Sequence, residues 1–143
     1  MPAFDSISAY EYLIYNLKNE YSQIKYSTLI LKRYGAYVAE VSGTVFFEKD
    51  VHLNIKELID FRKKQIKAYS YEVYAKKEKQ YWYDSQPHPN EASLQSTFPH
   101  HKHIEPNIRH NRVPSPHIHF DQPNISFLIK EIENNFLTQF FPF

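Results

Sequence analysis

Between residues 37 and 83, apolar and polar side chains alternate one by one, and this period of two strongly constrains the fold. In the run 37–47 the apolar side chains share one face and the polar ones the other, as in a half-buried strand. Runs 51–56 and 66–75 repeat the pattern. No helical segment connects consecutive runs, so the sequence predicts an antiparallel sheet. Further short strands are expected at 26–31 and 80–83, which makes about five or more in total.

Amphipathic segments flank the predicted sheet. Residues 5–21 carry apolar side chains at spacings of three and four, and Ser8 with Glu11 has the spacing of a capping box. Residues 124–139 show a second apolar stripe, for which Asn124 can act as the N-cap. The sequence therefore predicts one α+β domain over all 143 residues, a curved sheet with an N-terminal and a C-terminal helix packed on it. Alternative caps for the first helix are Asp5 and Ser6.

The segment 85–123 has a different composition. It contains seven of the nine prolines and seven of the eight histidines, and it shows no clear periodicity. Loops this long inside a domain are uncommon and are usually functional or disordered. Its interspersed apolar residues favour packing on the domain, so we expect a long His/Pro-rich loop that forms the functional site.

Composition removes several classes of function. The chain has no cysteine, which excludes disulfides, thiol nucleophiles and cysteine zinc sites. Its two glycines leave no P-loop and no dinucleotide fingerprint. We find no signal peptide and no membrane-spanning run, so we expect a cytoplasmic protein. The net charge is only +1, but basic residues cluster locally at 62–67, 76–79 and 109–112.

The segment Phe98–His103 carries the strongest chemical signal, with three histidines and a lysine in six residues. In an extended strand His101 and His103 point to one side, and His100 and Lys102 to the other. Histidine can take and give protons near neutral pH, and lysine can stabilise a phosphate. This set suits metal-independent cleavage of RNA. We therefore predict His101 and His103 as the acid–base pair, with His100 and Lys102 as further catalytic candidates.

Other candidates come from the strands. Tyr83 can stack on a base or donate its hydroxyl, Asp84 can orient a histidine ring, and Glu57 is a carboxylate on an apolar face that needs a partner. At a strand end, Asp84 is also explained as a simple capping residue. The predicted substrate-binding residues are His88, Trp82, Tyr71 and Arg62.

Two alternatives remain open. His117 and His119 lie two residues apart, a common spacing of metal ligands, so the chain can also be a metal-dependent nuclease. A non-enzymatic module whose His-rich surface binds a partner or a metal is the other alternative. The primary prediction includes no cofactor.

The order of motifs resembles the TumE family of bacterial toxin–antitoxin proteins. The resemblance spans roughly residues 10–137, and the Phe98–His103 motif is its most specific part. Two departures are Trp82, where the family typically has Arg, and Pro89, where a second His often follows. The other segments that carry the resemblance are Gly43–Phe47, Leu53–Glu57, Tyr69–Tyr71 and Tyr83–His88.

The resemblance implies a toxin encoded beside an antitoxin, usually a helix-turn-helix protein. Many toxins of such pairs attack translation, which agrees with an RNA substrate. No membrane partner is expected, and a homodimer is compatible with the sequence.

Overall fold

Eight strands form one antiparallel sheet in the computed structural model, which describes residues 3–138. The strands are β1 (Ile24–Ser27), β2 (Ile30–Arg33), β3 (Val38–Phe47), β4 (Val51–Asp60), β5 (Gln65–Ala75), β6 (Glu78–Asp84), β7 (His101–His103) and β8 (Arg112–Pro114). Their spatial order is β1-β3-β4-β5-β6-β7-β8, and β2 also pairs with β3. The predicted α+β class and antiparallel sheet are confirmed.

The predicted first helix is divided into two. Its N-cap is Ser6, whose hydroxyl accepts a hydrogen bond from the Ala9 amide at 3.0 Å, so the capping box at Ser8 was wrong. Asn16 is the C-cap of α1 (Ile7–Tyr15), and its side chain donates to the Tyr12 carbonyl at 2.7 Å. The helices are α1 (Ile7–Tyr15), α2 (Leu17–Glu20) and α3 (Ile125–Ile132), and α3 continues as a π-helical turn over Glu133–Leu137. The last residue of the predicted second helix, 139, lies outside the described residues.

Asn124 precedes α3 but makes no side-chain cap, contrary to the sequence prediction. Its amide oxygen accepts from the His119 backbone amide at 3.0 Å, and its nitrogen donates to the His119 carbonyl at 2.8 Å. The nitrogen also lies 3.2 Å from the Tyr71 hydroxyl on β5. Asn124 therefore connects the end of the His/Pro-rich segment to the sheet.

Both terminal helices pack on the same face of the sheet. From α1 the Tyr10 hydroxyl donates to Glu57 on β4, and from α3 Glu131 accepts from Tyr83 on β6. Residues opposite each other in an antiparallel ladder share a face, so alternate residues of these strands point away from the helices. No helix within residues 3–138 has the length and apolarity needed to cross a membrane.

Gly43 lies beside the interruption that divides the expected strand at 26–31 into β1 and β2. Both strands pair with the same edge of β3, and the backbone of Thr28 between them lies close to Gly43. A Cβ atom at Gly43 would lie 2.6 Å from the Thr28 carbonyl oxygen, and φ at Gly43 is +141°. Both the close approach and the backbone conformation require glycine.

The His/Pro-rich segment is more ordered than a loop. It contains a short 3-10 helix (Ala92–Thr97) and the strands β7 and β8. The expectation of a loop was therefore wrong for part of it. Strand β7 extends the sheet beyond β6, which places the histidine motif beside the end of the preceding strand.

Candidate functional site

Antiparallel pairing of β6 with β7 brings two sequence motifs together. Trp82 is opposite His103, and Asp84 is opposite His101. Because opposite residues share a face and neighbours alternate, these four side chains point to one side of the sheet. This is the side away from α1 and α3. The His101–His103 part of the predicted alternation is confirmed.

Asp84, His101 and His103 form a tight cluster. Nε2 of His101 lies 2.8 Å from Oδ1 of Asp84, and Nε2 of His103 lies 3.3 Å from Oδ2. The two Nε2 atoms are 3.2 Å apart. Only 1% of the His101 side chain and 3% of the His103 side chain are exposed. Asp84 thus faces both imidazoles, and the orienting role predicted for it from sequence stays a prediction.

Backbone carbonyls bond both rings through Nδ1, while Nε2 faces Asp84. Nδ1 of His101 lies 3.0 Å from the Pro99 carbonyl, and Nδ1 of His103 lies 2.9 Å from that of Ile108. A carbonyl oxygen only accepts, so each Nδ1 carries the proton. A hydrogen bond from Nε2 to Asp84 therefore requires an imidazolium, whereas a ring protonated at Nδ1 alone presents its Nε2 lone pair to the carboxylate.

Electrostatics follow from these contacts. Burial acts to raise the pKa of Asp84, but hydrogen bonds from His101 and His103 outweigh it and hold that pKa well below its usual range. Burial acts to lower the pKa of His101, and its bonds to Asp84 and Pro99 outweigh this, so the pKa is raised. Burial, followed by the charges of Arg112 and His101, lowers the pKa of the neighbouring His88. Its ring centroid is 4.8 Å from that of His101.

A cavity of about 530 Å³ lies against the cluster. Asp84 and His103 line it, and so do His88 and Trp82, two of the predicted substrate-binding residues. The Trp82 ring stacks on His103 with centroids 4.2 Å apart and planes 16° apart. The remaining lining residues are Lys79, Gln86, Ile108, Arg109 and Arg112.

Three catalytic candidates lie on the opposite face. Lys102 extends toward Glu131 of α3, with its Nζ 3.4 Å from Oε2, and the Tyr83 hydroxyl donates to the same oxygen at 2.8 Å. Nδ1 of His100 lies 2.6 Å from the Tyr69 hydroxyl. The strand alternation that joins His101 and His103 thus separates these three from the cavity.

Glu57 and Tyr71 belong to the buried interior. Glu57 is 0% exposed, and its carboxylate accepts from Tyr10 at 2.6 Å and from Tyr71 at 2.5 Å. Burial, opposed by these two hydrogen bonds, raises the pKa of Glu57. Both residues are therefore parts of a core network. Arg62 is also elsewhere, since its guanidinium lies 4.2 Å from the ring centroid of Tyr37.

His117 and His119 do not assemble the metal site considered from their spacing. His117 packs against Phe127 of α3 with ring centroids 5.2 Å apart, and the backbone of His119 is bonded by Asn124. Within residues 3–138, the one group of three or more His, Asp or Glu side chains with ligand atoms close together is Asp84, His101 and His103.

Sequence reasoning missed three basic residues of the cavity wall. It recorded the charge runs 76–79 and 109–112 but selected none of their members for the site. Lys79, Arg109 and Arg112 all line the cavity. The runs themselves were the available signal, although nothing in the sequence related them to the histidines.

Fold and site together define a small α+β protein with a cavity on the sheet face opposite its helices. Basic side chains and histidines line this cavity. Residues 15–136, more than half of the chain, match a family model described as Toxin TumE, and the chain belongs to the TumE toxin family. Neither the comparison with curated proteins nor that with solved structures finds a match.

Proposed function

We propose that this toxin acts on RNA and cleaves its phosphodiester bonds in the cavity beside Asp84, His101 and His103. The observation that carries the proposal is the composition of that cavity, in which basic side chains surround a buried carboxylate–imidazole cluster. Cations bind phosphate, and imidazole or a bound metal ion supplies the chemistry of phosphodiester cleavage. Membership in a toxin family implies an antitoxin partner. We further propose that this partner is a helix-turn-helix protein.

The cavity wall supports binding of an anion. Arg109 and Arg112 come from the same short run of residues, and their guanidinium groups suit phosphate oxygens. Arg112 pairs with Glu91 through Nη1 at 3.1 Å, whereas its buried Nε has no hydrogen-bond partner in the described part of the chain. A buried donor without a partner is costly, so a bound phosphate that reorients this guanidinium and accepts from Nε would offset that cost.

Cleavage can take two forms in this cavity. In the metal-independent form predicted from sequence, His101 and His103 serve the attacking and leaving oxygens. Those oxygens lie on opposite sides of phosphorus, and two metal ions that each stabilise one of them in nucleases are about 3.5–4 Å apart. The Nε2 atoms of His101 and His103 are only 3.2 Å apart, which favours a joint role for the two rings. The metal-dependent form makes direct use of that short separation.

Purified protein incubated with total RNA and transfer RNA, with and without EDTA, tests the proposal. We expect cleavage by the wild type and a loss of at least roughly 100-fold in Asp84→Asn, since the cluster then loses its charge. His117→Gln is the matched control and is expected to cleave like the wild type, because His117 packs on Phe127 outside the cavity. Cleavage that survives EDTA indicates the metal-independent form, and cleavage lost in EDTA indicates the other.

Induced expression in cells gives a second readout. Growth arrest by the wild type and normal growth with Asp84→Asn would connect the cavity to toxicity. Growth arrest by both the wild type and Asp84→Asn, without RNA cleavage by either protein, would contradict the proposal. It would favour stoichiometric inhibition by a binding protein.

A further inference from the structure

We propose that Asp84, His101 and His103 bind one divalent transition-metal ion of the zinc class. The three side chains come from the facing ends of β6 and β7, and their ligand atoms all lie within 4.8 Å of one another. What such an ion does to a substrate rests on the proposed RNA cleavage. Whether it binds does not, and the two can be tested separately.

Distances within the cluster fit a shared ion. Zinc holds imidazole and carboxylate ligands at roughly 2.0–2.2 Å, which puts two ligand atoms about 2.9 Å apart at a right angle and about 3.4 Å apart at the tetrahedral angle. The observed separations are 2.8 Å from His101 Nε2 to Asp84 Oδ1, 3.3 Å from His103 Nε2 to Asp84 Oδ2 and 3.2 Å between the two Nε2 atoms, so the carboxylate presents one oxygen to each ring. The side chains need little movement to receive the ion.

The tautomers of both rings also favour a metal site. Donation of Nδ1–H to the Pro99 and Ile108 carbonyls leaves each Nε2 free as a ligand. Metal-bound histidines almost always donate their other ring N–H in this manner, which fixes the ring and raises its basicity. If the two rings only bonded each other, it would be enough for one of them to have its proton on Nδ1. Here both rings have Nδ1 on a backbone carbonyl and Nε2 toward the cluster.

Ligand chemistry selects the class of ion. Two imidazoles and one carboxylate suit zinc, manganese, iron(II) or cobalt, whereas calcium and magnesium prefer oxygen ligands throughout. Three protein ligands leave a coordination position for an exogenous oxygen, as in catalytic zinc sites. Asp84 and His103 also line the cavity of about 530 Å³, so a water molecule or a phosphate oxygen can reach the ion.

Trp82 provides a built-in probe. It is the one tryptophan of the chain, and its ring stacks on His103 at 4.2 Å between centroids. Binding of Co²⁺ at His103 should therefore quench the intrinsic fluorescence, and the ligand-field absorption of Co²⁺ reports its coordination. Zn²⁺ binding is measured separately by calorimetry on chelator-treated, dialysed protein.

We expect the wild type to bind one equivalent of Zn²⁺ and of Co²⁺, with saturable quenching of Trp82. Asp84→Asn retains the size of the side chain but loses the anionic ligand, and His103→Ala removes a second ligand. Each should weaken binding at least roughly tenfold, while His117→Gln should bind like the wild type. Far-UV circular dichroism verifies that each variant is folded.

Equal affinity in the wild type and folded Asp84→Asn would overturn the metal site, and so would the absence of binding by the wild type. A metal-bound protein that leaves RNA intact would support the site and count against the proposed RNA cleavage. RNA cleavage by a protein that binds no metal would support the proposed RNA cleavage and contradict the metal site. The two proposals can thus fail independently.

Discussion

Glu57 is a carboxylic acid enclosed in the interior and bonded by the hydroxyls of Tyr10 and Tyr71. Burial raises its pKa above the ordinary value, so the folded state holds the proton more tightly than the unfolded state. The free energy of unfolding therefore falls as pH rises from the ordinary pKa, about 4.5, through the higher pKa of the folded state.

Glu57→Gln abolishes this titration. We expect the stability of the variant relative to the wild type to improve as pH rises from about 4 to 7, since only the wild type ionises a buried group. Urea unfolding at a series of pH values measures it. Glu48→Gln, a change at an exposed turn residue, is the control. If the free energies of unfolding of the wild type and Glu57→Gln changed in parallel with pH, ionisation of Glu57 would not destabilise the folded state.

Gly43 allows a second test on a single residue. Gly43→Ala puts a Cβ atom 2.6 Å from the Thr28 carbonyl oxygen at a φ of +141°, so we expect a loss of stability on the order of 3 kcal/mol. Gly35→Ala is the matched control. Its φ is +94°, but a Cβ atom there meets nothing within 4 Å, so only backbone strain of about 1 kcal/mol applies. Similar losses measured by chemical denaturation would contradict the close approach at Gly43.

At the scale of elements, the amide of Asn124 holds the end of the His/Pro-rich segment next to α3. Asn124→Ala removes its bonds to both backbone groups of His119 and to Tyr71, so we expect a loss on the order of 3 kcal/mol. Hydrogen exchange should also become faster around His119. Asn135→Ala, an exposed site with one long bond of 3.5 Å to Tyr81, should change stability by less than about 0.5 kcal/mol. Unchanged exchange in Asn124→Ala would show that other contacts anchor the segment.

The elements also show how far sequence reasoning reached. Period-two alternation predicted the central strands, because one face of each is buried against helices. It also placed His101 and His103 on one face. It could not predict that Lys102 and Tyr83 would face Glu131, because that contact depends on how β7 pairs with β6 and on the position of α3.

The same limit applies to local signals. Asn124 had the residue type of an N-cap, but its amide forms bonds to His119 and Tyr71 that only the folded chain brings into reach. The basic wall of the cavity contains Arg109 and Arg112 from a stretch without periodicity. Spacing along the chain carried no information about which basic run would lie beside the histidines.

For the whole molecule, a net charge of +1 means that binding of RNA cannot come from a general positive field. Binding should instead depend on the basic side chains of the cavity. Arg109→Gln with Arg112→Gln should weaken binding and reduce the slope of log affinity against log salt by roughly 0.7 for each lost phosphate contact with single strands. Binding is measured with 2′-O-methyl RNA in EDTA, where neither form of cleavage operates.

Lys63→Gln with Lys64→Gln is the matched control for this measurement. It removes the same charge from the exposed turn between β4 and β5, outside the cavity, so affinity and salt slope should stay close to those of the wild type. If both double variants lowered the slope of log affinity against log salt equally, RNA would be bound by diffuse charge. That result would contradict the cavity as the RNA site. If only the arginine pair does so, the phosphates lie beside Asp84 and His103, where cleavage is proposed to occur.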